Sequence, residues 1–273
     1  MMTRLTDEMV KDIIGTLDGT NDMLAALTGM NTIELACDAA GVGPDTIDLD
    51  GLKVGVVPVT SGLGIIKKFS ESVAEIVRKL GMDAFVTEAA DVTGLAEALS
   101  AGAEIIFMAD DIKFIAINTT NGRFSNNSFS TAAGYVSALK GAAGGLNGKK
   151  VLVLGAGRVG GIAAELMDAM GADVTVYDID KEKMADVSER IGVKATDDLK
   201  GALSSHDLVF NASPAPIDGR YVKEGAVFSS PGIPFPFDEL GMKKARTIIH
   251  DPLDIGVAVM AVQCASFSRM KRP

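Results

Sequence analysis

The chain has 273 residues, 47% hydrophobic and 23% charged, with a formal net charge of −10. That length is enough for two cores. The acidic balance argues against nucleic acid and anionic membrane as partners, since both demand a basic face. No uninterrupted apolar stretch is long enough to span a bilayer. Two histidines cannot build a histidine-rich metal site, and the absence of tryptophan removes the usual stacking platform for single-stranded nucleic acid. The first residues, MMTRLTDEMVKDII, carry acids among the apolar positions, unlike a signal peptide, so a cytoplasmic location is expected. Cys37 and Cys264 lie far apart, neither belongs to a C-x-x-C, and both read as buried free thiols.

In chain order, the pattern predicts a helix over 6–18, with Thr6 as cap, Asp7 and Glu8 in the first turn, and a stripe of Met9, Val10, Ile13, Ile14 and Leu17. Helices over 21–28 and 31–40 follow, the latter ending at Gly41. An alternating series comes next: strand 54–59, helix 63–80, strand 83–87, helix 92–101, strands 104–108 and 114–118. Such alternation implies an α/β domain with a mainly parallel sheet. The polar segment 118–128 reads as a loop, and 131–143 as a helix ended by Gly144-Gly145. The domain boundary is expected there. Residues 1–145 would be the short leading helices and an α/β substrate domain. Residues 146–273 would be a Rossmann dinucleotide-binding domain, with strands at 207–211, 226–229 and 247–250. A closing helix over 255–267 can pack back on the first domain, and the basic tail 268–273 is expected to fray. His206, at the start of a strand, reads as a surface residue.

The second domain opens on KKVLVLGAGRVGG. An apolar strand, Val151 to Leu154, runs into Gly155, and Gly157 and Gly160 complete a G-x-G-x-x-G around Arg158 and Val159. A helical pattern follows, then a strand over 173–177 ending in Asp178. Strand, glycine turn, helix, strand and terminal acid stand in the order of a dinucleotide site. Gly155 permits the tight turn, Gly157 lets backbone approach a pyrophosphate, Gly160 lets the helix pack on its strand, and helix N-terminal amides bind phosphate. A carboxylate at Asp178 accepts bonds from the adenosine ribose and repels a 2′-phosphate, which favours NAD over NADP. Arg158 can neutralise pyrophosphate charge or extend to solvent.

Ligands of open α/β sheets bind beyond the carboxyl ends of the strands. That rule selects Thr60, Ser61, Gly62 and Gly64, and the pair Asp110-Asp111, from the first domain. From the second it selects Asn211-Ala212-Ser213-Pro214, Ser230-Pro231-Gly232-Ile233-Pro234 and His250-Asp251-Pro252, all expected to face one interdomain cleft. Asn211, Ala212, Ser213, Pro231 and Gly232 are expected on the cofactor. Ser61-Gly62 reads as the opening of a helix whose amides can hold a carboxylate, or as an ordinary capped turn. Asp110 and Asp111 suit recognition of an amine, held as an ammonium, or general-base work in which they accept its proton, or read as a solvated turn. His250 is open between acid–base work and fixing its own loop.

Beyond the glycine motif, the segments VVPVTSGLGIIKKFSE, DAFVTEAADVTG, IIFMADDIKFIAIN and IIHDPLDIGVA resemble the pyrrolysine biosynthesis dehydrogenase family, PylD, over nearly the whole chain. The resemblance implies NAD-dependent oxidation of the terminal amine of the isopeptide L-lysine-Nε-3-methyl-D-ornithine, loss of ammonia, and closure of a pyrroline ring with loss of water. It also implies that the N-terminal helix closes over the site carrying an apolar residue matching Leu5, and that one aspartate of the Asp110-Asp111 pair binds substrate. The expected partners are this dipeptide-like small molecule and a second copy of the chain in a homodimer. Two alternatives share the glycine motif: a two-domain dehydrogenase of the shikimate or methylene-tetrahydrofolate type, and a non-catalytic NAD-sensing regulator.

Overall fold

The computed structural model describes residues 5–271. One helical turn, α1 (Asp7–Val10), is capped by Thr6, whose hydroxyl accepts the Met9 N–H at 3.4 Å. The chain then breaks at Lys11-Asp12 and continues as α2 (Ile13–Thr28). The helices expected over 6–18 and 21–28 are therefore divided elsewhere. Ile13, Leu17 and Leu24 lie on one helical stripe and are all buried. That burial outweighs the roughly 1 kcal/mol that a glycine such as Gly19 costs a helix interior. α3 (Thr32–Ala40) begins with a reciprocal cap between Asn31 and Glu34, and Gly41 ends it in the left-handed conformation.

After a 3-10 turn at Pro44–Thr46 come β1 (Lys53–Val57), α4 (Phe69–Lys79), β2 (Asp83–Val86), α5 (Asp91–Ser100), β3 (Ile105–Ala109), β4 (Phe114–Asn118) and β5 (Phe124–Asn126). These strands form a sheet of order β2-β1-β3-β4-β5. β1 is parallel to both its neighbours, while β4 and β5 pair antiparallel. β5 lies inside the segment expected to be loop. Its one buried residue, Ser125, bonds to Gln263 at 2.5 Å and to Ser130 at 2.9 Å, so side-chain pairing draws a polar sequence into the sheet.

Then follow α6 (Asn127–Ala143), β6 (Lys150–Leu154), α7 (Arg158–Ala169), β7 (Asp173–Tyr177), α8 (Lys181–Ile191), β8 (Lys194–Ala195), α9 (Leu199–Ser205), β9 (Leu208–Asn211), β10 (Val227–Ser229), α10 (Glu239–Lys244), β11 (Thr247–Ile249) and α11 (Asp254–Ser266). The second sheet is parallel throughout, in the order β11-β10-β9-β6-β7-β8. Its middle strands are buried on both faces, as unbroken apolar runs require.

The chain divides into two units. The first comprises the residues up to Met23, Asn31–Thr131 and those from Pro252 on; the second comprises Leu24–Met30 and Ala132–Asp251. This differs from a single boundary at 145/146. Most of α6 belongs to the second unit, and α11 belongs to the first. α11 is apolar around its whole circumference, so it has to be enclosed rather than laid on a surface. In the first unit it packs in one cluster with Val54, Val56, Val73, Val77, Ile105 and Phe107.

Three smaller expectations are corrected. His206 is buried by packing at the end of α9, and its ring Nδ1 is satisfied there by the Ala202 carbonyl at 2.8 Å. The tail is held rather than frayed as far as Lys271: Arg269 pairs with Glu104, and Met270 forms an antiparallel bridge with Ile47. Arg272 and Pro273 lie outside the described residues. The helix expected from Leu63 begins only at Phe69. As expected, both cysteines are buried free thiols, and burial pushes Cys264 up to about 12.

One core group is unsatisfied among the described residues. Ser72, in α4, is fully buried and its hydroxyl has no hydrogen-bond partner. A buried polar group left unpaired costs about 1–3 kcal/mol. Ser72→Ala is therefore expected to stabilise the chain by about 1 kcal/mol, read as a raised midpoint in chemical denaturation. An unchanged or lowered midpoint contradicts this.

Candidate functional site

The turn after β6 is built from three glycines with different reasons. Gly155 has φ +94, and a side chain there would stand 3.1 Å from the Ala212 backbone. At Gly160 a Cβ would collide with the Gly155 carbonyl oxygen. Both are demanded by the fold. Gly157, the cap of α7, is not: it is exposed, and a Cβ there meets no atom within 4 Å. Its missing side chain leaves open space at the N-terminus of a helix that has no side-chain cap, where the first amides lack intrahelical partners and suit a phosphate group. Arg158 is exposed beside it and Val159 half-buried.

Asp178 stands at the end of β7, half-buried. One carboxylate oxygen accepts the Ala156 N–H at 2.6 Å and the other the Asp180 N–H at 2.8 Å. The acid is thereby locked against the glycine turn, and each oxygen keeps a further lone pair. These residues fit a dinucleotide on grounds internal to the chain: an open cradle at Gly157, a helix N-terminus without a side-chain cap, and a fixed acid beside them.

The ends of β9 and β10 form one bonded set. Asn211 is fully buried; its amide donates to Ser230 Oγ at 3.0 Å and to the Ser213 carbonyl at 3.3 Å, and its Oδ1 accepts the Ser213 N–H at 3.2 Å. Ala212 N–H reaches the Leu154 carbonyl, and Gly232 N–H the Asn211 carbonyl. A Cβ on Gly232 would collide with the Ser213 carbonyl, which explains a glycine after Pro231. Asn211 is thus a brace between two loops, and Ala212 forms the floor under Gly155.

His250 Nδ1 lies 2.8 Å from the Ser230 carbonyl, and its ring meets Phe235 edge-on at 5.1 Å. A carbonyl only accepts, so Nδ1 carries the proton and Nε2 is left as the acceptor of the neutral ring. The geometry gives this histidine a loop-fixing bond and one remaining nitrogen for chemistry. Tyr135 was not legible as a site residue. Buried in α6, it accepts the Asp251 N–H at 2.7 Å and donates to the Asp251 carbonyl, so it fixes the loop after His250.

In the first unit, Ser61 and Gly62 do not open a helix. They lie in an irregular segment, 58–68, between β1 and α4. The Leu63 N–H donates to Asp111 at 2.7 Å, and a Cβ on Gly62 would collide with the Asp111 carboxylate. Asp110 is exposed, and its Oδ1 accepts the Ile112 and Lys113 N–H groups at 2.8 and 2.7 Å. Among the described residues its Oδ2 carries no bond. Thr60 is bound by Asp91, which accepts its N–H at 2.8 Å and its hydroxyl at 2.5 Å. The hydroxyl first, then the amide, hold the Asp91 carboxyl below its ordinary value. A lowered native value means that this contact stabilises above the ordinary carboxylate range and is lost as pH falls through the lowered value. Leu5 packs, half-buried, against the core that contains α11. Asp7 accepts the Lys67 N–H at 3.0 Å.

Pyrrolysine synthase of Methanosarcina acetivorans is 34% identical over 269 residues, covering 95% of this chain and 98% of that protein. The chain belongs to the pyrrolysine synthase family. The Methanosarcina barkeri member of that family is 39% identical over 218 residues, 76% of this chain and 79% of its own. Residues 9–125 match the model of the pyrrolysine biosynthesis protein PylD, N-terminal domain. Residues 114–228 match that of the D-isomer specific 2-hydroxyacid dehydrogenase, NAD binding domain. As a member of this family the chain is an NAD-dependent oxidoreductase of pyrrolysine biosynthesis. Quinate dehydrogenase from Corynebacterium glutamicum, solved in complex with NAD, superposes with a TM-score of 0.54 over 81% of this chain and 96% of its own. At 15% identity that likeness establishes a common fold and nothing of the substrate. Among the described residues no helix is long and apolar enough to cross a membrane, and no group of ligating side chains is placed to hold a metal.

Proposed function

We propose that the chain carries out the last step of making pyrrolysine from L-lysine-Nε-3-methyl-D-ornithine. The observation that carries this reading is the family likeness over nearly the full length of both chains, not over the cofactor motif alone. NAD, when bound, supplies the acceptor for the hydride lost by the carbon that bears the terminal amine. The resulting imine takes up water and releases ammonia. The α-amine of the ornithine part then condenses with the aldehyde and releases water, closing the pyrroline ring.

The chain's own residues bind, orient and manage protons. Gly155, Gly157, Arg158, Val159 and Gly160 would hold the pyrophosphate, and Asp178 the adenosine ribose. Asn211, Ala212, Ser213, Pro231 and Gly232 would shape the cofactor's surroundings. An amine gives up hydride only when unprotonated, so a base or solvent must first take its proton. The Asp110-Asp111 turn is the acidic group suited to hold that ammonium, with Asp110 Oδ2 the uncommitted oxygen. His250 Nε2 is a second acceptor. Ser61, Gly62 and Leu5 would line the substrate side. A cytoplasmic homodimer accords with this reading, and sedimentation at twice the chain mass tests the assembly.

Incubation of the purified chain with NAD and the isopeptide is expected to yield NADH and pyrrolysine in equal amounts, followed at 340 nm by absorbance and by mass spectrometry, respectively. No NADH at saturating substrate would overturn the reading. NADH formed with quinate or shikimate instead would assign the chain to another reaction.

A further inference from the structure

The first sheet has a topological switch point between β1 and β3. From β1 the chain leaves toward β2 on one side, and from β3 toward β4 on the other. Open α/β sheets bind their ligands outside the carboxyl ends of the strands at such a point. The two segments that leave it are 58–68, after β1, and the turn that carries Asp110 to Lys113, after β3.

The segment 58–68 is long for a βα connection and contains no helix or strand, so side chains from elsewhere in the chain help to set its shape. Gly62 and Gly64 have φ +73 and +81, and Lys68, which is not a glycine, has φ +62. Three aspartates from three other elements hold it: Asp91 at Thr60, Asp111 at Leu63 and Asp7 at Lys67. Of these, only Asp111 joins the two segments that flank the switch point. Gly62 makes this approach possible, because any side chain there would occupy the place of the carboxylate.

We propose that Asp111 is a positioning residue. Its carboxylate sets the conformation of residues 61–64 at the β1/β3 switch point, and it acts on the substrate through that segment rather than as the acid that receives the amine. Within the acidic pair, direct recognition then falls to Asp110. The inference rests on the proposed oxidation reading for its activity arm only. Leu63, at 79% exposed, is the side chain whose presentation depends most directly on this bond.

The test compares Asp111→Ala, Asp111→Asn and Gly62→Ala with the parent protein. Hydrogen exchange of the amides at 61–64 is measured alongside KM for the isopeptide and for NAD. Asp111→Ala and Gly62→Ala are expected to raise substrate KM more than about tenfold with NAD KM unchanged, and to speed exchange at Leu63. Asp111→Asn retains an oxygen that can accept the Leu63 N–H, so it is expected to restore much of both. Loss of activity that follows exchange across the three variants supports the assignment. Asp111→Asn as impaired as Asp111→Ala, with Leu63 exchange as slow as in the parent, overturns it, because the charge would then act directly. Fast exchange with parent activity overturns it as well. A parent protein that makes no NADH from the isopeptide refutes the reaction. The exchange measurements still decide whether Asp111 orders the segment, and unchanged exchange in Asp111→Ala refutes that.

Discussion

Gly157→Ala is expected to weaken NAD binding at least about tenfold, or 1.4 kcal/mol, while the folded chain survives nearly unchanged. The reason is the contrast among the three glycines of the turn. A methyl group at Gly157 meets nothing of the protein within 4 Å. Its only structural effect is to place alanine at a helix cap, a change worth up to about 1 kcal/mol and a few degrees in the unfolding midpoint. The same methyl group would occupy the space that a phosphate needs to reach the helix amides. Gly160→Ala is the opposite case. Its methyl group collides with the Gly155 carbonyl oxygen, so the cost falls on the fold, at about 1–3 kcal/mol or more. Calorimetric NAD titration beside differential scanning separates the two. Parent affinity in Gly157→Ala would mean that the pyrophosphate does not approach at this turn.

The second large effect is expected at Asp178. This acid makes two hydrogen bonds to backbone N–H groups, one of them from Ala156 inside the glycine turn. Hydrogen bonds to a charged group contribute about 1.5–3 kcal/mol each. Asp178→Ala should therefore raise NAD KM by about one to two orders of magnitude, part through the ribose and part through a loosened turn. Asp178→Arg separates the two parts. It suffers the same loosening, yet it replaces a charge that repels a 2′-phosphate with one that attracts it. The ratio of kcat/KM for NAD to that for NADP is expected to fall by at least about a hundredfold, two orders of magnitude in discrimination. Both constants falling together with the ratio unchanged would remove Asp178 from the ribose.

The two sites were legible to different degrees. The Rossmann half could be read almost element by element, because its information is local. Val151 to Leu154 are apolar without interruption, three glycines follow at fixed spacing, and Asp178 ends the next strand. The first unit was harder. An apolar pattern at 63–66 looks like the start of a helix, whereas the helix begins at Phe69, because Gly62, Gly64 and Lys68 take positive φ under the hold of distant aspartates. Nothing in the neighbourhood of Asp7, Asp91 or Asp111 announces that each bonds to an amide or hydroxyl of 58–68. His206 was misread for a similar reason, since its carbonyl partner is one helical turn away and its burial is a matter of packing.

By itself the sequence determined the parallel α/β architecture of the second unit, the glycine turn with its acid, and through full-length likeness the family. These follow from short-range patterns of apolar residues and from residue types that only certain backbone conformations admit. Tertiary structure alone decided which glycine is open to a ligand and that α11 belongs with the first unit. It also decided how the acidic pair divides, with Asp110 closing its own turn and Asp111 reaching across to Leu63. Contacts between residues 48 positions apart depend on how strands are ordered in the sheet, and that order is set by the packing of the whole unit.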